Sequence, residues 1–167
     1  MNYIKITEFD TANGIGIGTV LWVSGCNHNC EGCHNPQTHN PAVGQPFTEQ
    51  TYKKIVKTLE HPYISRLTLS GGDPLYPANR QAVTELCKGV KQTYPDKKIW
   101  LYTGYSWEGI KSLEVMKYID YVVDGKYIQS LKDLNLEYRG SSNQRIIDVQ
   151  KSVDTDVVTL NSISLKY

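Results

Sequence analysis

Five short runs of β-branched, aliphatic and aromatic residues alternate with helix-like segments along this chain, and that alternation constrains its fold more than any other feature. The runs are Thr19 to Ser24, Arg66 to Ser70, Ile99 to Thr103, Tyr121 to Val123 and Arg145 to Val149. The first four close on Gly25, Gly71-Gly72, Gly104 and Asp124-Gly125. Between the first two, Thr48 caps a helix running to about Glu60, with Tyr52, Ile55, Val56 and Leu59 on one face. A second helix spans Ala78 to Tyr94, with Val83, Leu86, Cys87, Val90 and Tyr94 as its apolar stripe and Pro95 as its stop. A third, shorter one covers Trp107 to Tyr118. Strands interleaved with helices predict an α/β fold with a mostly parallel sheet. Each β/α repeat takes roughly 30 residues, and a closed eightfold barrel typically needs about 250. A chain of 167 residues therefore predicts a partial, laterally open (β/α) barrel of about five to six mostly parallel strands. Residues 1–150 form one domain in this reading. Residues 151–167 are a C-terminal extension, either an edge strand or a loosely held tail.

Charge and hydropathy exclude several classes. Lys and Arg number 18 against 17 Asp and Glu, a formal net charge of +1, and no basic stripe marks a nucleic-acid surface. No apolar run approaches the roughly 18 residues of a membrane span, and Met1 to Lys5 lacks a signal-peptide core. The expected location is cytoplasmic, where thiols stay reduced. In that setting, three of four cysteines within eight residues read as metal ligands before disulfides.

Cys26, Cys30 and Cys33 form C-x₃-C-x₂-C in the loop after the first predicted strand. Thiolates hold iron–sulfur clusters, and a [4Fe–4S] cluster normally takes four of them. The remaining cysteine, Cys87, falls on a helix stripe and reads as core. Three ligands leave one iron open to a substrate, as at catalytic zinc. A structural zinc site with His28, His34 or His39 as fourth ligand is the competing reading of the spacing alone. Ser70-Gly71-Gly72-Asp73-Pro74 follows the next strand. Glycines there allow close approach to the backbone and offer its carbonyls to an ammonium group. Both motifs sit past strand ends, where α/β folds bind ligands.

Together these features resemble the radical S-adenosylmethionine superfamily, and within it the activating enzymes of anaerobic (class III) ribonucleotide reductases. The residues carrying the resemblance are Asn13-Gly14, the stretch Val23 to Cys33, Asn35 to Thr38, Leu69 to Leu75, Trp100 to Tyr105, Val123 to Lys126, and Arg139 to Arg145. Three departures stand out. The family often has Asn-Gly-Pro-Gly-x-Arg before the first strand, and here Gly18 holds the arginine's place. His34 follows the third cysteine, where Tyr or Phe is frequent, and Asp73 stands where the wider superfamily has Glu.

The resemblance implies a [4Fe–4S] cluster on Cys26, Cys30 and Cys33, and S-adenosyl-L-methionine held near Gly32, His34, Gly71, Gly72, Asp73, Thr103, Asp124 and Lys126. It implies reductive cleavage of that cofactor and removal of a Cα hydrogen from a glycine of the reductase. The partners implied are the large subunit of the anaerobic ribonucleotide reductase, as protein substrate, and an electron donor such as flavodoxin or ferredoxin. The alternatives are a small-molecule radical enzyme such as a queuosine-precursor synthase, the activase of another glycyl-radical enzyme such as pyruvate formate-lyase, and a zinc-stabilised binding module.

Overall fold

Side chains alternate across a strand, so a strand buried on one face by helices and lined on the other by a cavity carries two different residue sets. The computed structural model shows this division; it describes residues 1–155 and residue 158. The strands are β1 (Asn2–Asp10), β2 (Ile17–Val23), β3 (Gln45–Pro46), β4 (Ile64–Gly71), β5 (Lys98–Tyr102), β6 (Tyr121–Asp124) and β7 (Arg145–Asp148). The helices are α1 (Glu49–Leu59), α2 (Arg80–Thr93), α3 (Trp107–Ile110) and α4 (Val149–Thr155).

The seven strands form one open sheet in the order β3-β1-β2-β4-β5-β6-β7. The pairings β2–β4, β4–β5 and β5–β6 are parallel. The other three, β1–β2, β1–β3 and β6–β7, are antiparallel. The expectation of five to six mostly parallel strands is corrected accordingly: the parallel part is central, and antiparallel strands extend it at both edges. β1 was not foreseen, and it reaches β2 by a turn too short for a crossover helix, which forces antiparallel pairing.

Leu21, Val23, Leu67, Leu69, Ile99, Leu101, Val122 and Ile147 bury one face of the sheet against Ile55 and Leu59 of α1, Val83, Leu86 and Val90 of α2, and Trp107 and Ile110 of α3. Cys87 is fully buried in this core, and burial pushes its thiol pKa far up. The opposite face carries Arg66, Thr68, Trp100 and Tyr102, and Trp100, Val123 and Ile146 make a smaller cluster there with Tyr121 and Tyr138.

α1 begins where its cap predicts, with Thr48 Oγ1 accepting from Thr51 N at 3.4 Å. α2 stops short of Pro95. The third predicted helix is corrected: α3 ends at Ile110, Leu113 turns extended at ψ 140, and a 3₁₀ turn follows over Glu114–Lys117. The break lets Val115 and Met116 join the core. α4 starts at Val149, so the expected domain boundary falls inside a helix. The rest of the predicted extension, 156–157 and 159–167, lies outside the described residues. Among the described residues no helix is long and apolar enough to cross a membrane.

Candidate functional site

The loop from Ser24 to His39 is tied down by backbone hydrogen bonds before any ligand is considered. Gly25 N donates to Thr38 O (2.7 Å) and Cys26 N to His39 O (3.0 Å), closing the loop on itself. Gly72 N donates to Val23 O and Asp73 N to Gly25 O, both at 2.8 Å, fastening it to the end of β4. The buried Asn79 amide adds a bond to Ser24 O at 2.8 Å. Gly71 has φ +107, a region costly for side chains, and a Cβ on Gly72 would lie 2.6 Å from Gly25 O and 3.0 Å from Thr38 O. The glycine pair is thus what lets the cysteine loop sit on the strand end.

The three thiols are half-buried and face one cavity of about 620 Å³, a size typical of small-molecule sites. His34, Gly71, Gly72, Asp73 and Thr103 line the same cavity. His28 N points at Cys26 Sγ (3.5 Å) and Asn35 N at Cys33 Sγ (3.4 Å). Burial pushes the thiol pKa values of Cys26 and Cys30 up, Asp73 adds to this at Cys26, and backbone N–H groups of His28 and Tyr127 pull the other way. Lys126 also favours the thiolate at Cys30. Amide donors aimed at sulfur, at a cavity edge, suit thiolates bound to metal. Among the described residues no three His, Cys, Asp or Glu side chains converge on a point that would hold a single metal ion.

Asp73 is buried, and its carboxylate is committed to its own chain. It accepts from Leu75 N (2.8 Å), Thr103 Oγ1 (2.9 Å), Gly104 N (3.0 Å) and His28 Nε2 (2.6 Å). Thr103 spends its hydroxyl proton on that bond. Asp73 and Thr103 therefore join the ends of β4 and β5 to the cysteine loop through His28.

Three of the expected site residues lie off the cavity wall. Asp124 accepts from Trp107 N (2.9 Å) at the start of α3, and from Arg145 through Nε (3.0 Å) and the guanidinium tip. Lys126 is exposed beside the loop, and its carbonyl accepts from Asn143 Nδ2 at 2.8 Å. Gly32 is exposed, close under Gln129. The Arg139–Arg145 segment braces these residues: Gln144 Nε2 donates to Gly125 O (3.1 Å), and its Oε1 accepts from Gly140 N (3.0 Å) and Ser141 N (3.2 Å).

Over residues 12–147 the chain matches the family described as a 4Fe-4S single cluster domain. A protein of Enterobacteria phage T4 is 50% identical over 146 residues, covering 87% of this chain and 93% of its own. One from Vibrio cholerae serotype O1 is 45% identical over 150 residues, covering 87% and 97%. One from Escherichia coli K12 is 41% identical over 148 residues, covering 86% and 96%. All three bear one name, anaerobic ribonucleoside-triphosphate reductase-activating protein.

The chain belongs to that family. Membership in the activating-protein family removes the queuosine-precursor and pyruvate formate-lyase alternatives. Within the family frame, several contacts at the site were not legible beforehand. His28 packs on Tyr105 (centroids 4.6 Å apart) and reaches Asp73. His39 Nε2 lies 3.4 Å from Cys33 Sγ. Asn29 adopts φ 47, a conformation asparagine tolerates better than most side chains. The only advance signal for these was their place inside or beside the cysteine loop. His34 lies against Tyr127 with centroids 5.3 Å apart.

Proposed function

We propose that this protein reductively cleaves S-adenosylmethionine at a [4Fe–4S] cluster and generates a glycyl radical on the anaerobic ribonucleotide reductase. The observation that carries the reading is the meeting of Cys26, Cys30 and Cys33 with the Gly71-Gly72 strand end around one cavity, in a family named for activating that reductase. When bound, the cluster and S-adenosylmethionine supply a one-electron cleavage of a carbon–sulfur bond, releasing methionine and leaving a 5′-deoxyadenosyl group that takes a hydrogen atom from a glycine Cα.

This chain's residues bind and orient. Cys26, Cys30 and Cys33 hold three irons and leave one corner to the cofactor. The backbone at Gly71 and Gly72 offers acceptors to the methionine ammonium group, and Lys126 offers a cation to its carboxylate. Asp73 and Thr103 serve by holding the strand ends against the loop. Asp124 fixes the β6 end through Arg145, and Gly32 and His34 flank the cofactor's outer side. With helices packed on one face only, the sheet curls as a partial barrel whose open side admits a loop of the reductase. A low-potential one-electron donor, flavodoxin or ferredoxin, supplies the electron in a reducing cytoplasm.

Anaerobic reconstitution tests the first step. The protein takes up about four irons and four sulfides per chain, and on reduction it converts S-adenosylmethionine to methionine and 5′-deoxyadenosine. Loaded, reduced protein that yields neither product would overturn the reading.

A further inference from the structure

Gly18 and Arg66 are partners in the parallel pairing of β2 with β4. Arg66 is wholly buried on the cavity face of the sheet, where a guanidinium persists only if its charge is matched. A Cβ on Gly18 would overlap Arg66 Cγ and approach its Cζ to 2.7 Å, so the arginine lies across the glycine from the neighbouring strand. From there one nitrogen donates to Asp10 Oδ1 (2.8 Å), Asp10 O (2.9 Å) and Gly16 O (3.4 Å). The other donates to Thr68 Oγ1 (2.6 Å), whose hydroxyl donates onward to Asn13 O (2.8 Å). The turn of residues 11–16, between β1 and β2, is therefore tied at both ends and in its middle by a side chain far away in sequence. Ala12 and Asn13 of that turn line the cavity with the three cysteines.

We propose that Arg66 is a positioning residue that holds the 11–16 turn as one wall of the cofactor cavity, supplying from β4 the guanidinium that the family pattern places at position 18 on β2. The functional half of this rests on the proposed cofactor reading. Paired positions in a parallel sheet face the same side and lie roughly 4.8 Å apart. One guanidinium can thus reach the turn from either strand, but two would crowd like charges where Asp10 is the acidic partner at hand. Glycine at 18 is then the consequence of arginine at 66.

The test is a residue swap in the reconstituted holoprotein, read first by amide hydrogen exchange. Arg66→Gly should speed exchange in residues 11–16 at least about tenfold, the factor set by losing one charged hydrogen bond, with α1 and α2 unchanged. Gly18→Arg should do the same by displacing Arg66. The double variant, Gly18→Arg with Arg66→Gly, should return the turn to within about threefold of the parent, well short of additive damage. The KM for S-adenosylmethionine should rise in each single variant with turnover at saturation retained, and fall back in the double. If Arg66→Gly does not fold, Thr68→Val removes the Arg66 acceptor on β4 and the link to Asn13 while leaving the Asp10 and Gly16 contacts in place, and it should speed exchange at residues 12–14. Additive damage in the double variant, or a turn unmoved by Arg66→Gly or Thr68→Val, overturns the proposal. Exchange needs no catalysis, so a parent protein that fails to cleave the cofactor would sink the proposed function while leaving the arginine's role to be judged by exchange alone.

Discussion

Asp73 shows how much of the site is decided by single side chains. Its buried carboxylate accepts from His28, Thr103, Gly104 and Leu75, so Asp73→Asn turns an amide N–H₂ toward a backbone N–H, of Leu75 or of Gly104, that can only donate. Each donor left unmatched costs about 1–3 kcal/mol, and for a chain of this size each kcal/mol lowers the thermal midpoint by roughly 2–4 °C. Asp73→Glu should also destabilise, by about 1–3 kcal/mol through overpacking. Thermal unfolding of the variants checks both. Asp10 gives a pH prediction. Burial raises its carboxyl pKa, but hydrogen bonds from Arg66 and Asn13 outweigh that and hold it below the ordinary range. A carboxyl depressed in the fold contributes stability above its unfolded pKa of about 3.9, and that stability is lost as pH falls through the folded value. Acid titration of unfolding should therefore show a loss of stability below about pH 4, and Asp10→Asn should flatten it. Neither Asp73's saturation nor Arg66's pairing was legible in the sequence, because both join residues far apart in number and neither leaves a periodic trace.

At the scale of elements, the strand ends and the loops they carry behave as one unit. A side chain on Gly72 would press into Gly25 O and Thr38 O, so Gly72→Val should dislodge the cysteine loop. The expected result is loss of iron on reconstitution together with loss of cofactor cleavage, measured by metal analysis. Retention of about four irons with only the cofactor displaced would mean the loop tolerates the intrusion. The sequence disclosed β2, β4, β5 and β6 because each is a β-branched or aromatic run with a turn signal after it, and β7 by its apolar run alone. It disclosed α1 and α2 through their stripes and the Thr48 cap; Thr48→Ala should cost about 1 kcal/mol in denaturant unfolding. β1 stayed hidden because its residues are mostly half-buried, with no strong division between faces, and the pattern that marks a strand is that division. The third helix was overextended because Val115 and Met116 fit a helical stripe while being buried by a 3₁₀ turn instead.

At the scale of the molecule, the sheet separates two jobs. One face packs α1, α2 and α3 and includes Cys87; the other holds the cavity lined by Cys26, Cys30 and Cys33. The four cysteines should accordingly divide: alanine at Cys26, Cys30 or Cys33 should abolish cluster and activity together, while Cys87→Ala should keep about four irons. Loss of the cluster in Cys87→Ala would refute the three-ligand assignment. The cysteine motif, the glycine pair and the family-marking segments were all legible in sequence, whereas the placing of Asp124 and Lys126 off the cavity wall needed the fold. The most direct measurement of the central claim is electron paramagnetic resonance on the reduced protein, incubated anaerobically with S-adenosylmethionine and reductase deuterated at glycine Cα. The account predicts a glycyl radical signal and deuterium in 5′-deoxyadenosine; robust cofactor cleavage with no glycyl signal and no deuterium transfer would contradict it.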